Sequence, residues 1–351
     1  MLMYNTKPYL FFWLFLIVFS SKSLFGQFKS QYPDIPRIDV HMHVANDSLG
    51  IVNYLNLRTA MSKNHNIDMA LWLNLGNRGN PLPDMESVMR IGEGHFMCSI
   101  ADYTTHTGLK IAPEKLKSYL DMGYVGYKIW AGPWYRRLDK KEDGLPYIDN
   151  PAHEPTFAEM ERIGMPGTSI HVADPNGPYG QRTAWLADPV EYWTQITSWR
   201  NVLEKHPDLV TVMAHGNWLM CQDAQLDYLR NMLATFPNLN VDLAATFQYY
   251  YLVNTENLRS FMIEWSDRLL FATDAGAWQT DEQTTSSVEQ YLRAFQILET
   301  NEKVKGGFFG GPEVQGLNLP KEVLEKIYYK NAARIYPGMK EQMIKLGYDI
   351  K

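Results

Sequence analysis

Four histidines and one aspartate are spaced so that they could share a divalent cation. His41 and His43 lie in Ile38-Asp39-Val40-His41-Met42-His43-Val44. Residues two apart on a strand point to the same face, so these two imidazoles project together. Two imidazoles at that separation can bind one divalent metal ion. Asp39 shares their face one step deeper, where a carboxylate can orient a ligand or a neighbouring loop by accepting a hydrogen bond. His-x-His alone is weak evidence. It gains force from His171, His215 and Asp274, each at the end of an apolar run. If those runs are parallel strands of one barrel, their ends meet on one face. Polar groups gathered there need partners, and a shared cation supplies one.

The elements that must position these residues alternate along the chain. Short apolar runs, β-branched or aromatic in bias, occupy residues 37–44, 67–75, 95–101, 124–130, 168–172, 209–214, 239–244 and 269–273. Nearly continuous hydrophobicity is the mark of strands covered on both faces. Helical patterns fall between them at 113–120, 189–205, 224–235, 256–265 and 288–298. Asp188, Pro189 and Glu191 form a helix start: a cap, a first-turn proline and an acid that reaches back. Strand–helix alternation predicts a parallel sheet, and eight such units predict closure into a single-domain α/β (β/α)8 barrel over residues 27–351. The connections 131–165 and 174–187 are long and follow predicted strands, on the face where barrel sites form. An amphipathic helix after Leu319 should pack on the barrel's outside.

The chain has 351 residues and a formal charge of −6, which argues against a nucleic-acid partner. Lys7, the apolar run 9–19 and Gly26 have the order of a secretory signal, too short to span a bilayer comfortably. Residues 1–26 are therefore expected to be removed, leaving a periplasmic or extracellular protein with no stable membrane insertion. Cys98 and Cys221, the only cysteines, fall near strands a barrel would separate, so two free buried thiols are expected and no disulfide.

On these residues the chain resembles the metal-dependent amidohydrolase superfamily, and within it the amidohydrolase-related branch of aromatic-acid decarboxylases and lactone hydrolases. The resemblance runs from about Pro36 to Pro337. It is carried by Asp39-Val-His-Met-His43, His171, His215-Gly216, Thr273-Asp274 and Lys330-Asn-Ala-Ala-Arg334. It implies that His41, His43, His171 and Asp274 bind one Zn2+ or a similar ion such as Mn2+, with His215 beside it. Lys128, late in the fourth run, has two readings. It is either a lysine paired with a carboxylate in the barrel mouth or, as in binuclear members, a carboxylated lysine bridging a second metal.

A bound divalent cation brings the pKa of water from 15.7 toward ~7. In a hydrolase acting on a small ester, lactone or amide, Asp274 would take the water's proton and pass it on. His215 would polarise the substrate carbonyl or hold the water. The alternative with the same residues is nonoxidative decarboxylation of a hydroxy-aromatic or related acid, with Asp274 or His215 protonating the ring carbon. A metal-free binding barrel is the third reading. Arg182 is a candidate carboxylate clamp, and Trp130, Trp218 and Trp278 are candidate walls for a small-molecule substrate. His65, His95, His106, His153 and His206 are read as non-ligands. A homo-oligomer is compatible with the sequence, which does not specify one.

Overall fold

The structure, a computed structural model, describes residues 28–44, 48–76, 84–132, 146–173, 189–276, 281–305 and 311–350. Ten short strands build the centre: β1 (Pro36–His43), β2 (Asp68–Asn74), β3 (Phe96–Cys98), β4 (Ile100–Tyr103), β5 (Tyr127–Trp130), β6 (Gly167–His171), β7 (Thr211–Met213), β8 (Leu239–Asp242), β9 (Leu269–Leu270) and β10 (Ala275–Gly276). Their pairings are all parallel, in the orders β10-β1-β2-β3 and β4 through β9.

One predicted run is divided, and the last strand position continues past its run, 269–273, into β10. The run at 95–101 becomes β3 and β4, separated at Ser99. The Ser99 N–H still donates to Asn74 O on β2 (3.0 Å), whereas the Ile100 N–H donates to Gly126 O before β5 (3.1 Å). This is one strand position that changes partner midway. The last position behaves likewise, with β9 on β8 and β10 on β1. Between them, Val40 N–H donates to Phe271 O (3.2 Å) and Asp274 N–H to His41 O (2.8 Å). The sheet therefore returns to β1 and closes with eight strand positions.

A helix follows each position: Ser48–His65, Met85–Ile91, Leu116–Asp121, Glu154–Ile163, Pro189–Lys205, Asp223–Thr235, Thr255–Glu264 and Asp281–Glu299. Burial from both sides explains the unbroken apolar runs, as in Met69–Leu73, which is wholly buried. One helix corrects the sequence reading, which had 131–165 as an extended connection. Pro151 and Pro155 look like breaks but sit in first turns, where the missing N–H has no partner to lose. Phe157 and Met160 bury the helix, and Gly164 ends it in the left-handed conformation, φ 68°. Cys98 and Cys221 are free and buried, as expected. Among the described residues no helix is long and apolar enough to cross a membrane.

The C-terminal helix packs on the barrel but is not uniform. Lys321–Glu325 and Asn331–Ile335 are joined by a π-helical turn, Lys326–Lys330. The wider turn lets Ile327 O accept the Phe271 N–H (2.9 Å). Asn331 Nδ2 donates to Ser266 O and Leu269 O, both at 2.7 Å, and Tyr336 Oη to Thr168 O (2.9 Å). These contacts lie at strand starts, opposite the strand ends that carry the candidate ligands.

The same end holds a buried ion pair. Arg37 Nη2 meets Glu299 Oε1 at 2.9 Å, with both side chains at 0 % exposure. Ser30 Oγ and Tyr328 Oη donate to the same carboxylate at 2.6 and 3.0 Å. The guanidinium lies 5.0 Å from the rings of Phe295 and Tyr328. Glu299→Ala would leave that cation buried and unpaired. A loss of about 3–5 kcal/mol is expected, read as a fall in thermal midpoint, whereas replacing both partners with apolar residues should cost much less. An unchanged midpoint for Glu299→Ala would contradict this account.

Candidate metal centre

Strand geometry delivers the first two ligands. His41 and His43 leave β1 on one face, with ring centroids 5.2 Å apart and planes at 79°. Asp39, two residues earlier, braces the backbone instead of entering the cluster. Its carboxylate accepts the N–H groups of His41 (3.0 Å) and Thr273 (3.2 Å) and the hydroxyls of Thr273 and Tyr291, both at 2.5 Å. Burial pushes its pKa up to about 6 against the pull of these donors. The effect is to tie β1 to the segment carrying Asp274. That residue has φ 63°, a left-handed turn that swings its carboxylate toward β1. Its Oδ1 lies 3.3 Å from Nε2 of both His41 and His43. The Asp274 side chain is 36 % exposed against 1 % for His41, so the cluster opens to solvent on the Asp274 side.

Among the described residues two groups could hold an ion: His41, His43 and Asp274, and His41, His215 and Asp242, with ligand atoms within 4.8 Å of one another in each. The far ring nitrogens show how these imidazoles are prepared. Nδ1 of His41 meets Asp242 Oδ2 (2.9 Å), Nδ1 of His43 meets Gly76 O, and Nδ1 of His215 meets Ala244 O (2.8 Å). Each of these oxygens accepts only, so a neutral ring places its proton on Nδ1 and its lone pair on Nε2; at His41 the Ser169 hydroxyl also lies 3.1 Å from Nδ1. Anchored imidazoles with a carboxylate are the donor chemistry of a zinc or manganese site, and the residues present fit such an ion.

Electrostatics follow from burial and pairing. Burial and the Lys128 ammonium oppose charge on His41, but Asp242 and Asp274 outweigh them and hold its pKa above the ordinary imidazole value. Burial also works against the two carboxylates, yet His41 keeps both well below the usual range. His43 is lowered by burial. His215 is drawn down to about 3, chiefly by burial, and is neutral at pH 7. Lys128 on β5 is fully buried, which pulls it down to about 8. Its Nζ donates to Ser169 Oγ (3.0 Å) and lies 3.3 Å from His41 Nε2, while Asp242 and Asp274 act on it through space.

His215 comes from an unusual turn. After β7, residues His215, Gly216, Asn217 and Trp218 have φ of 57°, 53°, 46° and 64°. Left-handed backbone at a non-glycine residue costs about 1–2 kcal/mol and persists only where surrounding contacts demand it. Here Asp242 Oδ1 accepts the His215 N–H (2.8 Å), Tyr192 Oη donates to Asn217 O (2.6 Å), and Trp218 Nε1 donates to Ala173 O (3.1 Å). The Trp218 ring stacks on His215 at 4.9 Å and 13°. His171, at the end of β6, lies 4.9 Å from His215 between ring centroids and belongs to neither donor group.

The family model described as Amidohydrolase matches residues 112–338, more than half of the chain. The chain belongs to the amidohydrolase family. Solved structures extend the likeness over the fold. An uncharacterized TIM-barrel protein from Bordetella bronchiseptica is 15% identical, covering 88% of this chain and 99% of its own, with a TM-score of 0.51. IDCase from Metarhizium anisopliae, in apo form, is 14% identical over 88% of this chain and 98% of its own, also with a TM-score of 0.51. No curated protein sequence matches the chain.

The remaining candidates of this amidohydrolase fall in different places. Trp130 and Trp218 are each 5% exposed. Trp130 lies over His43 at 6.0 Å, so both rings lean on site histidines. Arg182 and Trp278 lie outside the described residues. His65, His95 and His153 hydrogen-bond backbone carbonyls, and His206 sits between Glu154 and Glu161. Sequence reasoning missed Asp242, Ser169 and Tyr291. Asp242 left only a partial trace, an acid inside the apolar run 239–244.

Proposed function

We propose that this amidohydrolase is an exported metal-dependent hydrolase of small esters, lactones or amides. The observation that carries the reading is the set of Nδ1-anchored imidazoles facing an ionised Asp274 at the open end of the barrel. His41, His43, His171 and Asp274 would hold the ion, Zn2+ or Mn2+, which supplies Lewis acidity and makes water acidic near neutral pH. The protein's own groups then act as acceptors. Asp274 directs Oδ1 at the two histidines, leaving Oδ2 to take a proton from water and return it to the leaving group. His215, neutral and with Nδ1–H committed to Ala244, has only a lone pair at Nε2. It can accept from water but cannot donate to a carbonyl.

Decarboxylation with the same residues would need a proton for the ring carbon. His215 has no proton to give at Nε2, so in that reading Asp274 would have to deliver it, as it delivers one to the leaving group in hydrolysis. Metal analysis with a panel of lactones, esters, amides and hydroxybenzoates tests the reading. One metal per chain is expected, with hydrolysis that releases no CO2. Chelation should abolish turnover, and Zn2+ or Mn2+ should restore it. CO2 release from a hydroxybenzoate without hydrolysis of any ester, lactone or amide would overturn the proposal.

A further inference from the structure

Asp242 is absent from the set that would touch a substrate, yet its carboxylate holds four hydrogen bonds beneath the cluster. It ends β8 with no solvent exposure. Oδ2 accepts from His41 Nδ1 (2.9 Å) and Ser169 Oγ (3.2 Å). Oδ1 accepts the backbone N–H groups of His215 (2.8 Å) and Ala244 (3.1 Å). One side chain thus faces a candidate metal ligand with one oxygen and the left-handed turn carrying His215 with the other.

We infer that Asp242 is the positioning residue of this centre, fixing the Nδ1–H tautomer of His41 and the placement of His215 together. It acts through those two residues and meets no substrate itself. The inference rests on the metal-centre reading for its consequence, since the tautomer decides whether His41 Nε2 offers a lone pair to a cation.

The substitution Asp242→Asn separates this role from mere packing, because the amide has nearly the same shape but only one acceptor. With its NH2 toward His215 and Ala244, two backbone donors would face a third. The amide oxygen therefore stays on that side, and the NH2 faces Ser169 and His41. An N–H pointed at Nδ1 makes Nδ1 the acceptor and moves the ring proton to Nε2, where the cation would bind. The variant should keep its fold and bind Zn2+ about 10–100-fold more weakly in a chelator competition. Ring 1H–15N correlation spectra of the metal-free protein, recorded above the imidazole titration, should show Nδ1–H at His41 in the wild type and Nε2–H in Asp242→Asn. Ser169→Ala, which leaves the carboxylate in place, should keep the wild-type tautomer and a Zn2+ affinity within about threefold.

A wild-type His41 protonated at Nε2 would overturn the inference, even if Asp242→Asn failed to fold. So would an Asp242→Asn variant with unchanged tautomer and affinity, or a Ser169→Ala variant that weakened binding equally. If the wild type bound no Zn2+ or Mn2+, the proposed function would fall, and the two tautomers would still decide the role of Asp242.

Discussion

Asp274→Asn should leave a folded protein whose kcat/KM at saturating metal is lower by about 100- to 10,000-fold, the range expected when a positioned proton acceptor is removed. The choice of asparagine matters. Asp274 sits at φ 63°, a conformation that asparagine tolerates and alanine does not. Circular dichroism and thermal melting should therefore be nearly unchanged, and the loss can be read as chemistry. The amide keeps one oxygen that can approach His41 and His43. It loses the negative charge that helps hold His41 above the ordinary imidazole value, and it cannot take a proton. Metal affinity should fall as well, which is why turnover is compared at saturation. Near-normal turnover in this variant would remove Asp274 from the mechanism.

That prediction was accessible from sequence because a strand-ending Asp after an apolar run is visible without coordinates. So were His41 and His43, since a period of two places them on one face, and so was the barrel, because strands buried on both sides cannot hide their hydrophobicity. Other features obey rules that sequence displays poorly. Asp242 lies within its apolar run, and only the closure that brings β8 beneath β1 shows that it faces His41. The helix Glu154–Ile163 was masked by prolines that suit a first turn as well as a break. Ser99 divides one strand into two because its neighbours on either side pair with different strands. The turn at His215–Trp218 contains one glycine, Gly216, whereas its other members take left-handed angles that local preference disfavours. Those angles follow from contacts with Asp242, Tyr192 and Ala173, which lie far away in the chain.

His215→Asn should also reduce kcat/KM by about 100- to 10,000-fold, with fold and metal content retained. Asparagine again suits the left-handed position, φ 57°. The distinguishing measurement is stability against pH in the metal-free protein. The His215 imidazole titrates near 6.5 when unfolded and near about 3 when buried. Between those values the unfolded chain binds the extra proton, so the stability conferred by burying a neutral ring is intact above pH 6.5. It is lost as pH falls, at up to about 1.4 kcal/mol per pH unit. The substitution removes this contribution, while His43, His95 and His153, each lowered by burial, retain theirs. The acid limb of the stability curve should become shallower between pH 6.5 and 3 without disappearing. Equal slopes in the two proteins would mean that His215 is not held neutral. In that event Nε2 would carry a proton at mildly acidic pH, and the argument against donation to a ring carbon would lose its support.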